Sequence, residues 1–113
     1  MQGHFIAFAI RISLNQDLVV RIAREQRNPD YQILIEAYTD SKGNEVTLQQ
    51  LTQERARVLS DRFQSAGVDP TRIQANGMGA SNPVAPNTTV AGQKKNRRVE
   101  ITFTSPSRNA ASN

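Results

Sequence analysis

Cysteine and tryptophan are absent, and histidine occurs once, as His4. Without cysteine there is neither a disulfide framework nor a thiolate metal site, and redox chemistry says nothing about compartment. One histidine near a chain end sets aside imidazole catalysis and multi-histidine metal centres. Aromatic residues make up only 5% of the chain. No apolar run approaches the roughly 20 residues of a membrane-crossing helix. The run Phe5-Ile6-Ala7-Phe8-Ala9-Ile10 is too short for the core of a signal peptide, and no small-residue cleavage site follows it cleanly. A soluble chain is expected, and a fragment or mature form if it works outside the cytoplasm.

What is present suits one domain: 113 residues, of which 37% are hydrophobic. The formal charge of +4 and pI near 10.1 point to an anionic partner. On charge alone, nucleic acid, an acidic polymer and a membrane surface stay open.

Along the chain, Phe5 to Ile10 reads as an edge strand. Ser13 is a candidate N-cap, and Leu14, Leu18 and Ile22 step through a helix over 14–27 that Asn28-Pro29 ends. Its arginines, Arg21, Arg24 and Arg27, read as a solvated face. Tyr31 to Tyr38 is a strand with Ile33, Ile35 and Ala37 on one face. A loop with Gly43 leads to a helix from about Thr47 to Ala66, begun by a Thr47/Gln50 capping box and ended by Gly67 and Asp69-Pro70. Arg72 to Asn76 is a short strand. Residues 77–89, rich in Gly, Pro, Asn and Thr, form a long loop of the kind that often carries function. The basic run Lys94-Lys95-Asn96-Arg97-Arg98 leads into a last strand with Val99, Ile101 and Phe103 on its buried side. Residues 105–113 are small and polar, a disordered tail or linker. The fold class is α/β (α+β): a two-layer sandwich in β-α-β-α-β-β order, with two helices on one face of a mixed three- to four-stranded sheet.

Leu48, Leu51, Arg55, Leu59 and Arg62 recur at helical spacing, which puts Arg55 on an apolar face. A guanidinium there needs an anion. Asp40, at the end of the preceding strand, is one source and a ligand carboxylate the other. Two readings of the Asp40–Arg55 pair stay open: an internal ion pair tying loop to helix, or two groups facing a pocket that holds a zwitterion, Asp40 taking its ammonium and Arg55 its carboxylate. Gly77-Met78-Gly79 does not complete a dinucleotide fingerprint. The basic run fits phosphate contacts or a charged strand entrance, and the inward register of Phe103 weighs against nucleic acid. No catalytic triad, acid/base carboxylate pair or metal-ligand spacing is present. A binding module is expected, not an enzyme, with no cofactor and no metal.

Five segments in order resemble the OmpA-like C-terminal peptidoglycan-binding domain family. They are the strand and loop Ile33 to Gly43 with Thr39-Asp40, the helix segment Leu51-Thr52-Gln53-Glu54-Arg55-Ala56, Gly67-Val68 followed by Arg72-Ile73, the loop Gly77-Met78-Gly79 to Asn87-Thr88-Thr89, and Gly92 through Asn96-Arg97-Arg98-Val99-Glu100-Ile101. The resemblance is best over 31–103 and implies a domain over 1–104. It implies non-covalent binding of peptidoglycan through the diaminopimelate residue of the stem peptide, anchoring an envelope protein to the cell wall. Asp40 and Arg55 would grip the diaminopimelate, with Thr39, Asn96, Arg97 and Arg98 lining the same site. The implied setting is the periplasm, with the parent protein held in the outer or inner membrane; nucleic acid is not an implied partner, and a homodimer is left open. Ala37-Tyr38 stands where the family carries Gly-His, and Leu48 where Asn is usual. Those departures motivate the alternative, a protein-interaction or oligomerisation module of the same fold that has lost wall binding.

Overall fold

The computed structural model describes residues 5–12 and 31–106. Four strands form one mixed sheet in the order β1-β4-β2-β3, where β1 is Phe5–Ile12, β2 Gln32–Tyr38, β3 Ile73–Gly77 and β4 Arg98–Pro106. β4 runs antiparallel to both neighbours, pairing Ile10 with Ile101 on one side and Ile35 with Ile101 on the other. β2 and β3 are parallel, so they need a crossover, and helix α1 (Glu45–Ser65) supplies it. A short helix α2 (Val90–Asn96) precedes β4. The expected α+β architecture holds, with β1 at a sheet edge. The helix expected over 14–27 and the residues beyond 106 lie outside the described residues. Ser105 and Pro106, assigned to the tail by composition, pair in register with Ile6 and Phe5.

The alternation in β2 works as the sequence implies. Ile33, Ile35 and Ala37 are buried and meet Val99, Ile101 and Phe103 of β4. Ala56, Leu59 and Phe63 of α1 close the core over this face, and Phe63 and Tyr31 both meet the Phe103 ring edge-on, at 6.5 and 6.4 Å. Side chains the size of Leu59 or Phe63 contribute roughly 1.5–3 kcal/mol each by leaving water.

Two expectations for α1 are corrected. The helix starts two residues before Thr47, because Asn44 caps it: its Oδ1 accepts from Val46 N at 2.8 Å and Thr47 N at 3.3 Å. Glu45 in the first turn and Arg62 in the last suit the helix dipole. The buried face is Leu48, Thr52, Ala56, Leu59 and Phe63, not the row containing Leu51, Arg55 and Arg62. Leu51 is 40% exposed and Arg62 is exposed. The smaller Thr52 sits in this row where the helix lies close to β3 and the loop after it. A Cβ on Gly77 would fall 2.2 Å from Gln53 N, so only glycine fits. At this edge strand the Gln53 side chain replaces a missing neighbour: it accepts from Gly77 N at 2.8 Å and donates to Ala75 O at 3.2 Å. Gln49 Nε2 donates to Gly77 O. At the far end, Gly67 has φ +104°, Val68 N donates back to Phe63 O at 3.1 Å, and Val68 is buried.

Candidate functional site

The C-terminal ends of β2 and β3, the start of antiparallel β4, α2 and the 78–89 loop meet at one end of the sheet. The backbone there is stitched before any side chain is placed. Met78 N donates to Ala37 O at 2.8 Å and Thr39 N to Gly79 O at 2.9 Å. Gly79 N donates to Thr52 Oγ1 at 2.9 Å, and that hydroxyl in turn reaches Leu48 O and Gln49 O at 3.0 and 3.1 Å. The buried Thr52 therefore fixes the height of the loop above the helix. Thr39 is itself buried, with its backbone committed to this stitch.

Asn96 organises the rest of the loop. Its side chain is wholly buried and makes four hydrogen bonds. Oδ1 accepts from Val84 N at 2.8 Å and Ala85 N at 3.1 Å, while Nδ2 donates to Ala85 O at 2.9 Å and Asn87 Oδ1 at 2.7 Å. An amide side chain has two donors and two acceptor sites, so none is left over. α2 is held in the same way. Thr89 caps it through Oγ1, which accepts from Gly92 N at 2.9 Å, and a Cβ on Gly92 would lie 1.8 Å from Pro86 O.

The two consecutive arginines separate in role. Arg98 is buried, 3.9 Å above the Tyr38 ring that pairs with it across the strands. Its Nε donates to Glu100 Oε2 at 2.7 Å, Nη2 to Asn82 O at 2.8 Å, and Nη1 to Asn96 O at 3.3 Å. Burial pushes the Tyr38 phenol above its ordinary pKa, with the hydrogen bond to Asn82 working against it. Arg97 turns instead to Asp40, its Nη1 lying 2.6 Å from Oδ2.

Asp40 is the charged centre of the site. Its side chain is 7% exposed. Oδ1 accepts from Lys42 N at 3.0 Å in a tight turn, and Oδ2 takes Arg97. The Lys42 N–H, together with the hydrogen bond and charge of Arg97, holds the carboxyl below its ordinary pKa, against the opposing effect of burial. Asp40 is therefore a carboxylate throughout the neutral range.

The internal Asp40–Arg55 ion pair is not formed; Asp40 pairs with Arg97 instead. Arg55 is half-buried and has no ion pair or hydrogen bond among the described residues. Helical geometry places it one turn after Thr52, on the flank of α1 opposite Gln49 and Gln53. Those glutamines reach β3, so Arg55 lies on the side toward β4. The basic run is divided between two elements: Lys94 and Lys95 are exposed on the last turn of α2, and Arg98, at the start of β4, is a buried strut.

Thus Asp40, Thr39 and Arg97 share one end of the sheet, Arg55 lies on the β4 side of α1, and Asn96 and Arg98 are engaged internally. Thr52, Gln49 and Gln53 escaped the sequence reading, which took Thr52 as part of a motif and not as a polar core residue. Among the described residues no group of three or more His, Asp or Glu could hold a metal ion. No described helix is long and apolar enough to cross a membrane.

Comparison with known proteins gives consistent matches. The model of the OmpA family matches residues 9–97. The chain is 40% identical over 75 residues to the probable lipoprotein YiaD of Escherichia coli, covering 66% of this chain and 34% of that protein. It is 36% identical over 91 residues to the peptidoglycan-binding protein ArfA of Mycobacterium tuberculosis, covering 80% of this chain and 28% of that one. It spans about a third or less of the length of these relatives. The peptidoglycan-associated lipoprotein from Burkholderia pseudomallei shares the fold, with a TM-score of 0.74 at 24% identity over 84% of this chain and 88% of that one.

Proposed function

The chain belongs to the OmpA family, a non-enzymatic one, and on that premise we propose that it binds peptidoglycan non-covalently through the diaminopimelate residue of the stem peptide. The observation that carries this reading is the charge pattern at the sheet end: an ionised, nearly buried Asp40 and, on the flanking helix, a half-buried Arg55 with no ion pair among the described residues. A guanidinium left in that setting is stabilised by a carboxylate from outside. A free diaminopimelate end presents an ammonium beside a carboxylate, so Asp40 takes the first and Arg55 the second, with Thr39 and Arg97 beside them. Asn96 and Arg98 act one step back, holding the loop and the strand start in place. Their polar groups are already used within the protein.

The reading extends to place and role. A wall-binding domain works in the periplasm, and the name of one relative marks it a probable lipoprotein, which fits a parent anchored in the outer or inner membrane. The family-atypical residues do not favour a lost site. Tyr38 is absorbed beneath Arg98 and Leu48 into the buried face of α1, so neither stands in place of Asp40 or Arg55. The test is substitution. Asp40→Ala and Arg55→Ala are each expected to abolish co-sedimentation with purified peptidoglycan while circular dichroism stays that of the folded domain. Undiminished sedimentation of both variants would refute the site.

A further inference from the structure

Resting on that reading, we infer that Arg97 occupies, in the free domain, the position the ligand ammonium takes at Asp40, and that this self-occupancy makes the site select a zwitterion over a simple amine. Each oxygen of Asp40 accepts one hydrogen bond, and with the side chain only 7% exposed little of either is left open to a ligand. Oδ1 is bound to Lys42 N within the backbone turn, and giving up that bond means reopening the loop. Oδ2 is bound to Arg97, whose side chain is 41% exposed and makes no other hydrogen bond among the described residues. An incoming ammonium therefore takes Oδ2, and Arg97 leaves. Its neighbour cannot do the same, since Arg98 is packed on Tyr38 and bonded to Glu100, Asn82 and Asn96. One arginine is a strut and the next a movable plug.

The exchange decides selectivity. Two monovalent cations at equal distance from one carboxylate have the same Coulomb attraction. A ligand that brings only an ammonium replaces one ion pair by another and leaves Arg97 in solvent without a partner, so its net gain is small. A ligand that brings a carboxylate beside its ammonium compensates both cations: the displaced Arg97, and Arg55, which has no ion pair among the described residues. Diaminopimelate meets that condition. Lysine, which keeps the ammonium and lacks the adjacent carboxylate, does not. Arg97 is thus a specificity-determining residue that works against amines while the free site is closed.

Calorimetric titration of the full chain with two stem peptides, identical except for diaminopimelate or lysine, tests this. The wild type is expected to prefer the diaminopimelate peptide. Arg97→Gln is expected to strengthen binding of the lysine peptide and to lower the preference by about fivefold, the upper end of the scale for one exposed ion pair. Arg97→Lys, which restores a cation, is expected to restore the preference. Arg97→Gln weakening both peptides by the same factor would overturn the plug, since Arg97 would then be an ordinary contact. So would an unchanged preference. If the folded wild type binds neither peptide, the diaminopimelate reading itself fails, and the plug falls with it.

Discussion

Replacing Asn96 by alanine removes the four hydrogen bonds that tie α2 to the 84–87 segment. Each is worth about 0.5–1.5 kcal/mol net, and backbone groups left unsatisfied cost more than the bond alone. Val84 and Asn87 lie near enough to solvent for water to recover part of the loss. The expected destabilisation is about 3 kcal/mol, read from urea unfolding by linear extrapolation and equivalent to a fall in Tm of roughly 12 °C. Asn96→Asp separates the donor half from the acceptor half. One carboxylate oxygen can still accept from Val84 N and Ala85 N, while the other faces Ala85 O and Asn87 Oδ1, two acceptors. Protonation turns that clash into a donor, so the folded-state pKa at this position is raised. The Asn96→Asp penalty is therefore expected at pH 7 and relieved as the pH falls through that raised value. Destabilisation below about 1 kcal/mol in Asn96→Ala would refute the structural role. Loss of peptidoglycan binding with stability intact would make Asn96 a direct ligand contact.

Further outcomes follow from the same geometry. Gly77→Ala forces a methyl to within 2.2 Å of the α1 backbone at Gln53, so it should destabilise by several kcal/mol, on the order of 3 or more, or prevent folding, as seen by circular dichroism. Thr52→Val removes the acceptor for Gly79 N and should cost about 1–3 kcal/mol in urea unfolding, an effect a purely apolar core position would not show. Because Asp40 has a lowered folded pKa, its contribution is present above its unfolded value near ~4 and lost as the pH falls through the folded one. The stability gap between wild type and Asp40→Asn should accordingly be full at pH 6 and shrink on acidification below about 4, and a gap independent of pH would contradict that linkage.

Much of the fold was legible because period-2 and period-3.6 patterns are set by burial. Ile33, Ile35 and Ala37 and their partners Val99, Ile101 and Phe103 alternate because one face of the sheet is covered. The rotation of α1 was not legible. Its inner row carries Thr52, which meets the backbone at Gly77 and Gly79, and the small Ala56, so leucine spacing pointed to the wrong stripe. The Asn44 cap was hidden beside the more familiar Thr47/Gln50 pattern. Helix α2 escaped because it is only 7 residues long and includes a glycine, and it is held by its Thr89 cap, by Asn96 and by the close approach of Pro86. Asp40 could be named from its place after a strand, but its partner could not. Arg97 lies 57 positions away, and only the antiparallel return of β4 brings the two together.

The most direct measurement is an NMR titration of the domain with a diaminopimelate-containing stem peptide, following backbone amides and arginine side-chain signals. Binding through the proposed site predicts shifts centred on Thr39 to Lys42, Arg55 and Arg97, with the Arg97 side-chain signal moving as it leaves Asp40. A folded spectrum that stays unchanged at millimolar peptide, or shifts confined to surfaces away from Asp40 and Arg55, would contradict it.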